Sequence, residues 1–187
     1  MKIQKFYLVF FTFLISISMN TVADIVTLQN ATATFSQTNY SIANTIDGTT
    51  GTGAGWAISP SLVNQAAVWE TSTDINASEM SFSMGFYHTY SHIIGRFKIS
   101  VTSDDRSTFA NGVISGGDVT ATWYDLTGVS MSLASGLTYS VKTDNSILLG
   151  GTIPDVTAYT ATYSNIPIAN ITGIKLDVLE DPTLPVS

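Results

Sequence analysis

The chain has 187 residues, with 7 Lys and Arg against 14 Asp and Glu, a net charge of −7 and no cysteine. An acidic chain without a basic cluster repels phosphate backbones and anionic lipid, which weighs against nucleic acid as a partner. The lack of cysteine excludes disulfides, thiol chemistry and thiolate-held metal.

The N-terminus reads as an export signal. Lys2 and Lys5 form a basic region, Phe6 to Ile17 an apolar run, and Thr21-Val22-Ala23 offers small residues for cleavage before Asp24. The run is short for a membrane span, which disfavours the alternative of an uncleaved anchor. Residues 1–23 are therefore read as a leader outside the fold, and the protein as secreted, extracellular or periplasmic. The remaining 164 residues keep five cations against fourteen carboxylates, a net charge of −9. They suit one domain with its own core. No linker, internal repeat or low-complexity tract divides residues 24–187. The sequons at Asn30, Asn39, Asn76 and Asn170 are what a Ser/Thr-rich chain yields by chance. They matter only in a eukaryotic secretory pathway.

In chain order, Ala31-Thr-Ala-Thr34 reads as a short strand, residues 41–46 as one helical turn and Asp47-Gly48 as a tight turn. A glycine loop, Gly51-Thr-Gly-Ala-Gly55, then leads into Trp56. Met80, Phe82, Met84 and Phe86 alternate with Ser81, Ser83 and Gly85, the period-two pattern of a strand with one apolar face. Phe97, Ile99 and Val101 repeat it, as do Leu137, Tyr139 and Val141, and again Ile174, Leu176 and Val178. Asn111-Gly112, Gly116-Gly117 and Asp144-Asn145 punctuate turns. No stretch carries a 3.6-residue apolar stripe. The reading is all-β, a sandwich or barrel. Asp181-Pro-Thr-Leu-Pro-Val-Ser187 is a proline-broken tail.

Several segments together resemble a known family. They are Ala31–Thr34, Ala43–Gly48 and Gly55-Trp56; Ala67-Val-Trp-Glu-Thr71; His92–Thr102; Asp144–Gly151 followed by Tyr159-Thr-Ala-Thr162; and Ile171–Pro185. They look like the galactose-binding-like (discoidin, or coagulation factor type C-like) modules of exported bacterial proteins. The resemblance implies a jelly-roll β-sandwich that binds rather than catalyses. In such modules the Leu-Pro is followed by a Gly-rich loop and a final strand, which this sequence lacks. The resemblance thus implies a C-terminally incomplete sandwich whose uncovered edge or apolar seam invites strand addition.

The same resemblance implies a structural calcium held by Asp47 and Thr52, with loop carbonyls completing the oxygen shell. Read on its own residues, Asp47 caps its turn. The Gly51–Gly55 loop lacks the Lys and the strand-to-helix setting of a phosphate site. His88 and His92, four apart, would suit zinc on a helix, but no third ligand is evident and the neighbours read as strand–loop–strand. Tyr87, His88, Tyr90 and His92 offer ring faces and polar edges to a sugar. Trp56 is either a stacking platform or core. Arg96 and Lys98 share one strand face and could grip a carboxylate or sugar, or pair with Asp104 or Glu70 on a solvated face. No Gly-x-Ser-x-Gly elbow exists. Asp104-Asp105 and Glu180-Asp181 are adjacent pairs that cannot share one strand face, so acid–base catalysis finds no support. The expected function is non-catalytic carbohydrate binding, and the alternative is protein docking through an open sheet edge without a sugar site.

Overall fold

Apolar–polar alternation needs two buried faces turned toward each other, and the chain supplies them as two antiparallel sheets. The structure, a computed structural model, describes residues 13–19, 22–51, 53–61, 63–88, 92–109 and 121–184. Within them run β1 (Phe13–Met19), β2 (Val22–Val26), β3 (Leu28–Ala33), β4 (Gln65–Ile75), β5 (Met80–Phe86) and β6 (Arg96–Thr102). These are followed by β7 (Tyr124–Asp125), β8 (Thr127–Ser132), β9 (Leu137–Val141), β10 (Ile147–Gly151), β11 (Thr157–Asn165) and β12 (Ile171–Val178). The only helical elements among the described residues are 3-10 turns at Ile42–Thr45 and Arg106–Thr108. One sheet has the order β2-β1-β5-β11-β8. The other has β3-β4-β12-β6-β10-β9, with β7 also on β6. The fold is all-β, as the period-two pattern requires.

On β5, Met80, Phe82 and Met84 are fully buried. The intervening Ser81 and Ser83 bond across to Thr162 and Thr160 of β11 at 2.8 and 2.9 Å. One strand thus anchors the core with alternate residues and fixes its register with the others. From the opposite sheet come Trp69, Phe97, Ile99, Ile174 and Leu176, all buried in the same cluster. Phe97 stacks on Tyr159 across the two sheets, with ring centroids 5.8 Å apart. Burial of this apolar surface is the dominant stabilising term.

The outer face of the second sheet is covered too. Phe109 lies over Gly173, with ring atoms 2.5 Å from where a Cβ would stand, so any side chain there would displace it. Phe109 meets Trp123 edge-on at 5.6 Å, and the Lys175 ammonium sits 5.6 Å above the Trp123 ring. The tail is held as well. Asp181 Oδ1 accepts from the Thr183 amide and hydroxyl, and Leu184 packs on Gly95.

Two expectations change. Residues 13–19, read as part of a leader outside the fold, form β1 between β2 and β5. The register sets Phe13, Ile15 and Ile17 opposite Met84, Phe82 and Met80. The reason lies in the sequence. Ile15, Ile17 and Met19 alternate with Ser16 and Ser18, so the same residues meet the needs of an apolar leader and of a strand. As a result β5 is not an open edge while this segment is present. Lastly, β9 shows only one buried residue, Leu137, whereas Tyr139 and Val141 are exposed. It is the outermost strand of its sheet, so its alternation is not matched by burial. Asn111-Gly112 and Gly116-Gly117 lie outside the described residues.

The Tyr163 hydroxyl is buried without a hydrogen-bond partner, while that of Tyr159 donates to the Ile94 carbonyl at 3.2 Å. Burial, with the Asp125 carboxylate adding to it, pushes the Tyr163 phenol above its ordinary range. Removing an unsatisfied hydroxyl should be neutral or stabilising by up to about 1 kcal/mol. Removing a satisfied one should cost about 1 kcal/mol. Urea midpoints of Tyr163→Phe and Tyr159→Phe should therefore shift in opposite directions, or the first not at all.

Candidate functional site

The residues singled out for binding fall into three places, and the backbone explains each. Trp56 follows Gly55, whose φ of 90° only glycine tolerates easily, and turns inward. It is fully buried, and its Nε1 donates to the Phe35 carbonyl at 2.9 Å. Of the two readings of this residue, the platform is corrected: the indole is core and offers no ring face. Trp69, in the same core cluster, is likewise satisfied by Thr45 Oγ1 at 2.9 Å.

Asp47 is exposed, and its Oδ1 accepts from the Thr49 amide at 2.7 Å. That is an Asx turn, the capping role read from the local sequence. Gly48 takes the positive φ the turn needs, 78°. Thr52 lies outside the described residues. Among the described residues no group of three His, Asp or Glu side chains is placed to hold a metal. A calcium here would rest on Asp47 and loop carbonyls.

The third place is the turn after β5. The Tyr87 ring folds back over Gly85, with atoms 2.7–2.8 Å from where a Cβ would stand, so only glycine leaves room for it. His88 and His92 come together with Nδ1 atoms 2.9 Å apart and ring centroids at 4.7 Å. A hydrogen bond between the two Nδ1 atoms takes one ring as donor and the other as acceptor, as their tautomers dictate. The two rings meet across a loop rather than on a helix. Both histidines and Tyr87 are half-buried, and Tyr90 lies outside the described residues.

Arg96 is fully engaged by the protein. Its Nη2 meets Asp144 Oδ2 at 2.7 Å, and Nη1 meets the Glu180 carbonyl at 3.0 Å and Asp181 Oδ2 at 3.5 Å. Its Nε donates to Ser146 Oγ at 2.9 Å. Lys142 adds a second cation, 3.8 Å from Asp181. This knot ties the β9–β10 turn and the tail to β6. The expected partners were Asp104 and Glu70, and both are occupied elsewhere. Asp104 accepts from the Thr122 amide, and Glu70 from Gln29 and Asn30. Lys98 pairs instead with Asp125 at 3.2 Å. No sequence spacing links residue 96 to 144 and 181, because only the strand order brings them together.

The Asp144 carboxyl is held below its ordinary pKa chiefly by the Ser146 hydroxyl, with Arg96 adding to it. That of Asp181 is lowered chiefly by the Thr183 hydroxyl and amide, with Lys142 and Arg96 adding. Carboxyls whose folded pKa is depressed stabilise the fold above the unfolded value of about 3.9 and lose that contribution as pH falls below it. Thermal melts should therefore show no contribution from this knot to any change between pH 7 and 5, and a loss below about pH 4. The double variant Asp144→Asn/Asp181→Asn should melt lower at pH 7 and fall less steeply in acid.

Compared with protein-family models, curated proteins and solved structures, the chain matches none.

Proposed function

We propose that the processed chain is an exported, non-catalytic β-sandwich of galactose-binding-like type that docks another polypeptide on a sheet edge. One observation carries this reading. The strand beside β5 is supplied by Phe13–Met19, the very residues whose sequence marks them for removal on export. A chain cut after Ala23 presents β5 with one side of its backbone unpaired. Two further features favour docking over sugar recognition: the indole of Trp56 is core, and Arg96 is spent on Asp144 and the tail.

The carbohydrate reading keeps one specific support, the half-buried group of Tyr87, His88 and His92 on a single loop. The structural calcium at Asp47 belongs to the same family resemblance. A glycan array of the exported protein, run with calcium and again with a chelator, separates the two. Docking predicts no glycan-specific signal in either buffer from protein folded by circular dichroism. A signal that disappears in His88→Ala would replace docking with sugar binding. Trp56→Ala is a poor probe of either, because emptying that site should cost about 3–5 kcal/mol of stability. Its melting temperature should drop whatever the ligand.

A further inference from the structure

Phe13–Met19 has two destinations that exclude each other. As part of a leader it is cut away, and as β1 it fills the slot between β2 and β5. Cleavage after Ala23 would remove all of β1. It would also strip Asp24, Ile25 and Val26 of the ladder partners they have now, Ile17, Ser16 and Ile15. What remains beside the slot is β5, Met-Ser-Phe-Ser-Met-Gly-Phe, seven residues with no charge and no proline. It has none of the devices that usually blunt a sheet edge. Behind it lie Met80, Phe82 and Met84, fully buried while β1 is in place.

The resident strand shows what the slot accepts: an extended antiparallel segment, Phe13-Leu-Ile-Ser-Ile17, with apolar Phe13, Ile15 and Ile17 opposite the core residues Met84, Phe82 and Met80, and Leu14 and Ser16 between them. Met80-Ser-Phe-Ser-Met84 has the same apolar residues at alternate positions. We propose, building on the edge-docking reading above, that removal of residues 1–23 lets β5 pair with β5 of a second copy about a two-fold axis at Ser83. Antiparallel pairing on that axis sets Ser83 against Ser83, Phe82 against Met84, Ser81 against Gly85 and Met80 against Phe86. Apolar residues meet apolar residues on the core face, and small residues meet small ones on the other. The contact is self-complementary and closes at two copies. Because residues 80–86 carry no charge, the pairing brings no like charges face to face, despite the −9 of the processed chain.

The test compares the full chain, made in a cell-free system without signal peptidase, with the product exported from cells. Intact mass defines each N-terminus, and light scattering gives the assembly. The full chain should be monomeric. The exported product should begin at Asp24 and have twice the mass of one processed chain. Ser83→Lys in the exported product places two ammonium groups at the axis and should return the mass to one copy. Should that variant fail to fold, dilution of the unaltered product serves instead, with dissociation accompanied by faster deuterium uptake across residues 80–86. An exported product that keeps residues 1–23, stays monomeric, grows into open-ended assemblies or carries a foreign strand on β5 overturns the proposal. A monomer that binds no glycan and exchanges β5 amides quickly sinks the second-copy pairing alone. A glycan signal on the array would sink the docking reading itself.

Discussion

The structure depends on the two faces of β5. Inward, Met80, Phe82 and Met84 close the core against Trp69, Phe97 and Leu176 of the other sheet. Outward, Ser81 and Ser83 latch to Thr162 and Thr160 and prevent a slip in register. A one-residue shift would send serines into the core and methionines to the surface, so the pairing with β11 is strongly specified. On the other side of β5 the register sets Leu14 and Ser16 opposite Ser83 and Ser81. The β1 side is the one that the proposed removal of residues 1–23 would open.

Much of the architecture was legible because alternation is a local property. β5, β6 and β12 follow from Met80–Phe86, Phe97–Val101 and Ile174–Val178 with almost no adjustment. The turns at Asp47-Gly48 and Asp144-Asn145 follow from residues that tolerate a positive φ, 78° at Gly48 and 64° at Asn145. β1 was not legible as a strand, because its composition suits an export signal equally well and one sequence cannot show which fate applies. The cover over Gly173 was missed for another reason. Phe109 is far from residue 173 in sequence, and the crossing is set by topology rather than by periodicity.

The candidate site was less legible than the fold. Residue type suggested Trp56 as a ring platform, but the same large apolar ring suits a core, and the Phe35 carbonyl satisfies its one donor there. Arg96 was recognised as a facing cation, yet its partners Asp144 and Asp181 come from a distant turn and from the tail. The meeting of His88 and His92 and the Asp47 cap followed from proximity in the chain. Arg96 is consumed in holding the β9–β10 turn and the tail to β6.

The most direct test of this account is deuterium exchange at the β5 amides that point toward the β1 position, in the exported chain at concentrations where it associates. The account predicts slow exchange there, as in the full chain, because the slot has been refilled. Rapid exchange at those amides in an otherwise protected sandwich would show an edge that stays empty, and would contradict it.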